Sequence, residues 1–243
     1  MNETRRLGGR ILTGLLLVLC LAACAHTGTD PADPYEKQNR AVWKFNLGLQ
    51  RHVFKPVAHA YTWALPDWTR NGIHNFLQNI NTPVVLVNDL LQGDLKAADN
   101  TFARFVVNTA FGPAGFRDVA LKSGHMKSRS EDFGQTLAVW GVHDGPYLMV
   151  PFLGPSNPRD LSGYAVDFAF DPQTYVNWGG NWWVPITVGG VGIIDDNART
   201  LPQLDELERT SVDFYASVRS LYRQARENAI RNGEVKQEDI PNF

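Results

Sequence analysis

The sequence predicts a mostly α-helical single domain with at most one short β-hairpin. Three observations predict it: helix-entrance chemistry recurs in one grammar, apolar residues return at three- and four-residue spacing near the C-terminus, and strand signals are few. The entrance grammar is a capping side chain followed by proline at the first helical position, where the missing N–H costs nothing. It appears at Asp33-Pro34, Thr82-Pro83, Asn157-Pro158 and Asp171-Pro172.

In chain order, the first helix is expected over 34–49, with Glu36 three residues after Asp33 as in a capping box. A shorter piece over 51–63 follows, then helices over 67–80 and 83–92, divided at Thr82-Pro83 because proline inside a helix removes a hydrogen bond. Helices over 95–110 and 131–140 flank a short piece at 114–122. Tyr147 to Leu153 reads as extended, since Pro146, Pro151 and Pro155 deny it a helical ladder. Asn157-Pro158 opens a helix over 157–169, and Asp160 adds favourable charge to its first turn. Arg159 and Asp160 can instead pair with each other; capping is the favoured role. A piece over 191–199 precedes the longest helix, 202–232, whose stripe of Leu204, Leu207, Phe214, Tyr215, Val218, Leu221, Tyr222 and Ala225 reads as core packing or as a partner surface. Gly233 is its stop.

Ahead of this domain stands an export leader. Arg5, Arg6 and Arg10 precede the apolar run Ile11 to Ala23, and Leu21-Ala22-Ala23-Cys24 forms a lipobox-like end. The run of 13 residues is short of the roughly 20 that a spanning helix needs, which favours cleavage over a retained anchor. Cleavage leaves residues 24–33 as a lipidated N-terminus and tether, 34–232 as the folded domain and 233–243 as a tail. Cys24 is the expected lipidation site, carrying S-diacylglycerol and an N-acyl chain. Ala25, where aspartate would favour inner-membrane retention, favours the outer membrane. Cys20 lies in the discarded run, so no disulfide framework can form.

Past the leader the chain carries 20 basic and 24 acidic residues, a net charge of −4 that argues against a nucleic-acid surface. Charge is scarce from Phe133 to Ile194, where five charged residues in 62 make about 8%, against 20% for the whole chain. Residues 172–194 hold none, yet Pro185 and the pairs Gly179-Gly180 and Gly189-Gly190 oppose a straight spanning helix. Trp178, Trp182 and Trp183 crowd the same stretch. Tryptophan favours the headgroup boundary, so composition leaves two readings open, an interfacial or re-entrant segment and the buried core of a soluble domain.

Catalytic motifs are absent. There is no nucleophile elbow, no phosphate loop and no H-E-x-x-H pair, and the six histidines lack paired ligand spacing, so neither a catalytic residue nor a metal site is expected. His143-Asp144 could orient an imidazole, and a solvated turn explains it equally well.

The run Asp33-Pro34-Tyr35-Glu36-Lys37-Gln38-Asn39-Arg40 with Phe45-Asn46 resembles the opening D-P-x-E-x-x-N-R...F-N of the MlaA (VacJ) family of phospholipid-transport lipoproteins. Arg70-Asn71-Gly72 with Asn75-Phe76, Phe133-Gly134-Gln135-Thr136, Trp140-Gly141-Val142, Gly145-Pro146-Tyr147 and Pro151-Phe152-Leu153-Gly154-Pro155-Ser156 continue the resemblance in order. Two places depart from the pattern: Asp196-Asn197-Ala198-Arg199 stands for D-x-R-A, and Phe214 occupies a usual proline position.

The resemblance implies a helical ring lying in the outer membrane beside trimeric porins. It implies an amphipathic channel through which phospholipid leaves the outer leaflet for a soluble, MlaC-like periplasmic carrier, preserving lipid asymmetry without a cofactor. It also resolves the low-charge stretch in favour of membrane contact. Gly141, Gly145, Pro146, Tyr147, Pro151 and Gly154 are then expected in a movable lip or, alternatively, a rigid surface turn. Trp178, Trp182 and Trp183 are expected at a membrane boundary. The competing expectations are a porin-associated scaffolding lipoprotein and, more remotely, a lipid hydrolase.

Overall fold

The computed structural model describes residues 33–176, 179 and 183–233. The expected leader, Cys24, the tether up to residue 32, Trp178, Trp182 and residues 234–243 lie outside the described residues.

Nine α-helices and one hairpin make up the described chain. They are α1 (Glu36–Leu49), α2 (Lys55–Ala64), α3 (Asp67–Gln92), α4 (Leu95–Phe111), α5 (Val119–Gly124), α6 (Phe133–Val139), β1 (Leu148–Val150), β2 (Gly154–Ser156), α7 (Pro158–Phe170), α8 (Trp183–Thr210) and α9 (Phe214–Ile230). A π-helical turn, Gln50–Phe54, joins α1 to α2, and a 3-10 turn, Pro172–Thr174, follows α7. The strands pair antiparallel with Leu148 opposite Ser156 and Val150 opposite Gly154.

The packing closes into a circuit. Helix α2 lies on α8, α8 on α3, α3 on α6 and α7, α6 on α9, and α9 on the hairpin, which is held in turn by α1. Outside this circuit α4 packs on α3, and α5 on α4. This is the ring that the resemblance implies, in one mostly helical domain.

Several expected boundaries move. The break at Thr82-Pro83 does not occur: Pro83 sits inside the 26-residue α3, and the Thr82 hydroxyl donates to the Gln78 carbonyl, 3.1 Å away, instead of capping. Packing of α3 against α4, α6, α7 and α8 offsets the roughly 3 kcal/mol that an interior proline costs. Pro202 is likewise interior to α8, so the expected pieces over 191–199 and 202–232 become α8 and α9 with their break at residues 211–213. There Asp213 caps α9 by accepting from the Ala216 N–H at 3.1 Å, and Phe214 in the usual proline position leaves the entrance intact.

Asp33 does not cap α1 either. Its carboxylate is fully buried and accepts from Asn39 Nδ2 at 2.7 Å, Arg219 Nη1 at 3.0 Å and the Tyr215 hydroxyl, which ties the start of the domain to α9. Asn157 and Asp171 cap as expected, accepting from the N–H groups of Asp160 and Gln173 at 2.9 Å.

The interior is unusual in composition. Among the described residues ten apolar residues are buried against sixteen polar or charged ones, while twenty-six large apolar or aromatic side chains are exposed. Helix α4 shows the inversion most clearly: Thr101, Arg104 and Asn108 point inward, and Leu95, Phe102, Val106 and Phe111 point out. Water disfavours such a distribution, and hydrocarbon on the outside favours it.

Candidate lipid passage and its hairpin

Two asparagines on α1 position the hairpin. Asn39 and Asn46 are seven residues apart, about two helical turns, so both face β1. Asn39 donates from Nδ2 to the Tyr147 carbonyl at 3.0 Å and accepts at Oδ1 from the Met149 N–H at 2.8 Å. Asn46 repeats the pattern at the turn, donating to the Val150 carbonyl at 2.9 Å and accepting from the Phe152 N–H at 3.0 Å. The side-chain amides thus act as a neighbouring strand for β1.

The turn itself, Pro151 to Leu153, is strained and apolar. Phe152 has φ +67°, a conformation that costs a bulky side chain about 1–3 kcal/mol, and Gly154 follows at φ +84°. Phe152 and Leu153 are exposed, and the Phe152 ring meets the exposed Phe45 edge-on at 5.3 Å.

The expected lip residues separate into different environments. Gly141 has φ +88° and stops α6: its N–H and that of Val142 bond back to Ala138 and Leu137, each at 2.9 Å. Gly145 has φ +75°, and a Cβ there would lie 3.3 Å from the Pro158 ring. Tyr147 is 1% exposed and belongs to the core, packing on Tyr215 and Tyr222, so it anchors the hairpin. His143 and Asp144 are exposed in the loop between α6 and β1. Trp183 is exposed at the start of α8.

Two cavities border α8. One of about 240 Å³ lies under the turn, lined by Trp43, Leu47, Phe54, Phe152, Ile193 and Leu204, with the paired amides of Gln50 and Asn197 on its wall. The other, about 680 Å³, lies among α3, the end of α7 and the start of α8. Its lining is two-faced: Leu77, Ile80, Phe168, Ile186 and Val188 are apolar, and Asn81, Asp171, Gln173 and Thr174 are polar. Gly189 and Gly192 line it as well, and no atom lies within 4 Å of a Cβ built at Gly189.

Buried charge fastens the far side of the ring. Arg226 of α9 donates to Asp132, the cap of α6, at 2.6 Å and to Asp160 of α7 at 2.9 Å, while Arg159 and the Tyr222 hydroxyl also bond Asp160 at 3.0 and 2.8 Å. Arg159 and Asp160 therefore pair with each other, and the capping expected of Asp160 is performed by Asn157. Burial pushes the Asp132 carboxyl up, but the Arg226 guanidinium more than offsets it and holds it below its ordinary value.

The sequence missed a second cluster, because it forms across 121 residues: His74 Nδ1 lies 2.8 Å from Asp195 Oδ2. Asp196 is close enough to complete a three-residue group of cation-ligand type. Arg199 Nε donates to the same Asp195 oxygen at 2.8 Å, and the Tyr61 hydroxyl to the other at 2.9 Å. A guanidinium already neutralises that carboxylate, so the group reads as a crosslink among α2, α3 and α8.

Fold and site define a helical membrane-associated protein, polar within and apolar without, that carries an open amphipathic cavity. The chain belongs to the MlaA lipoprotein family, whose model matches residues 31–229. The proteins named intermembrane phospholipid transport system lipoprotein MlaA from Shigella flexneri and from Escherichia coli (strain K12) are each 36% identical to it over 230 residues, 91% of this chain and 89% of theirs. A solved chain, described as the structural basis for maintenance of bacterial outer membrane lipid asymmetry, superposes with a TM-score of 0.72 at 33% identity, covering 82% of this chain and 98% of its own.

Proposed function

We propose that this protein removes phospholipid from the outer leaflet of the outer membrane through the amphipathic cavity and passes it to a soluble, MlaC-like periplasmic carrier. The carrying observation is the open, two-faced cavity of about 680 Å³ on a molecule whose outer surface is rich in apolar side chains. Exposing two acyl chains of about 30 methylenes to water costs more than 20 kcal/mol at ~0.8 kcal/mol each, and a phosphate in bare hydrocarbon is also prohibitive. A passage with one apolar and one polar wall avoids both costs. Its volume falls within the range of roughly 300–1,000 Å³ typical of ligand pockets.

In this reading Cys24 carries the N-acyl and S-diacylglycerol chains that tether the ring beside trimeric porins. Trp183, with Trp178 and Trp182, lies at the headgroup boundary. Gly141, Gly145, Pro146, Pro151 and Gly154 set the path of the hairpin lip, and Tyr147 anchors it. The protein performs no catalysis.

Surface phospholipid is measured in cells lacking the protein and complemented with the native chain, Cys24→Ala or Gly189→Phe. Only the native chain restores a low level, because Gly189→Phe starts from a Cβ in open space and projects its ring into the cavity. If Gly189→Phe restores it as well as the native chain, lipid does not pass through this cavity. Restoration of porin assembly by Gly189→Phe, with no lipid defect at any stage, would favour the scaffolding alternative, and released fatty acid would mark a hydrolase.

A further inference from the structure

Residues 112–130, which follow α4, run against the charge of the molecule. Past the leader the chain has a net charge of −4, yet this segment contains Arg117, Lys122, Lys127 and Arg129 against Asp118 alone. Two of these charges are neutralised inside the fold. Asp118 accepts from Arg104 at 2.9 Å, and Arg129 donates to Asp94 and Glu131 at 3.0 Å each. Arg117, Lys122 and Lys127 remain exposed, with no ion pair among the described residues.

The segment is fastened back along α4. The Ala120 N–H donates to Asn108 Oδ1 at 2.9 Å, Arg104 donates to the Met126 carbonyl, and Asn100 Nδ2 donates to the Lys127 carbonyl at 3.0 Å. Asn100 and Asn108 are eight residues apart, about 12 Å along the helix axis. Cations are therefore spread along the flank of α4 whose outward face carries Leu95, Phe102 and Val106, with Phe111 exposed at the helix end and Leu121 on the segment itself. Asp99 is exposed on the same face between Leu95 and Phe102, and exposed Lys96 lies at its edge with the opposite charge.

We infer that α4 and residues 112–130 form a seat for the anionic glycerophospholipid headgroups of a bilayer surface. Helix α4 lies along that surface with its apolar face in the acyl boundary, and Arg117, Lys122 and Lys127 meet lipid phosphates beside it. The arrangement is that of an interfacial amphipathic helix, in which buried apolar area and attraction to anionic lipid act together. An acidic protein surface would satisfy the cations but not the row of exposed apolar side chains. The inference rests on the membrane reading above and adds a preference for anionic lipid.

The test uses the full lipidated protein, in which acylation of Cys24 leaves an engineered thiol as the only reactive one. An environment-sensitive fluorophore is placed on Ser123→Cys, or separately on Val106→Cys, after reconstitution into vesicles of phosphatidylcholine with or without roughly one-third phosphatidylglycerol. The Val106 probe is buried in lipid in both. The Ser123 probe is shielded only with phosphatidylglycerol, and the shielding is lost in high salt and in Arg117→Gln/Lys122→Gln/Lys127→Gln, whose altered side chains are all exposed. If the three charges add, the docked-to-undocked ratio falls about 100-fold in that variant.

A Val106 probe in lipid with a Ser123 probe indifferent to phosphatidylglycerol overturns the inference and leaves the membrane reading standing. Shielding of Ser123 only on adding porins or carrier assigns the seat to a protein and also overturns it. Exposure of both probes defeats the inference and the membrane reading together.

Discussion

Replacing Asn46 with alanine tests whether the hairpin turn is held by α1 as a separable latch. The side chain makes two bonds to the turn, to the Val150 carbonyl at 2.9 Å and from the Phe152 N–H at 3.0 Å. Each contributes about 0.5–1.5 kcal/mol net, and the Phe45–Phe152 ring pair adds about 0.5–1.5 kcal/mol. Opposing them is the φ of +67° at Phe152, which costs about 1–3 kcal/mol. The docked turn is thus held by a small surplus, and losing about 1–2 kcal/mol raises the undocked population roughly 5- to 30-fold. Exposed groups at the turn recover bonds to water, so global stability changes little.

Asn39→Ala provides the contrast. It strands buried partners at Asp33, Tyr147 and Met149, and lowers global stability by about 3 kcal/mol or more. Amide hydrogen exchange reads both effects. Asn46→Ala accelerates exchange at Phe152 and its neighbours with an unchanged melting temperature, while Asn39→Ala lowers the melting temperature. Native protection at Phe152 in Asn46→Ala, or equal loss of global stability in both variants, would refute the latch.

Gly163→Ala should destabilise the ring by at least about 1–3 kcal/mol, because its Cβ would lie 2.4 Å from the Gly134 nitrogen, where only backbone could yield; denaturant unfolding measures it. Arg226→Met leaves Asp132 without its cation, while Asp160 keeps Arg159 and Tyr222, and because Asp132 keeps about a third of its side chain in water the loss at pH 7 is about 3 kcal/mol. The pH dependence weakens. Native Asp132, held below its ordinary value, contributes stability above the unfolded aspartate range that disappears as pH falls through its folded value. In the variant the Gln135 bonds still lower Asp132 against the burial that raises it, so the stability gained above the aspartate range shrinks; equal losses at pH 4 and pH 7 would count against this assignment. Gly141→Ala and Gly145→Ala each meet the roughly 1–2 kcal/mol cost of a left-handed conformation, and Gly145→Ala adds a contact with Pro158, so melting should rank Gly145→Ala the less stable.

Local chemistry was legible wherever its partners are close in sequence. The caps at Asn157 and Asp171 depend on backbone two or three residues away, and the hairpin follows from prolines at 146, 151 and 155, so these elements stand where the residues place them. The same reading failed at Asp33, Thr82 and Pro202 because the deciding neighbours are distant: Tyr215 and Arg219 take the Asp33 carboxylate, and helices packed on α3 hold Pro83 in line.

The functional arrangement divides in the same way. The low charge of residues 133–194 and the motifs around Gly141 to Ser156 marked the region that lines the hairpin and one wall of the large cavity. The motif residues Asn39 and Asn46 could be seen in sequence, but not that they serve as a neighbouring strand for β1 more than 100 residues away. Nor does periodicity reveal that Arg104 and Asn108 face inward while Phe102 and Val106 face out, since a 3.6-residue repeat defines two faces without stating which solvent each meets. The sequence by itself determined the helical class, the caps at Asn157 and Asp171 and the family; closure of the ring decided which face is inside and where two helices run on through proline, because only packing brings distant hydrogen-bond partners together to make a polar interior stable.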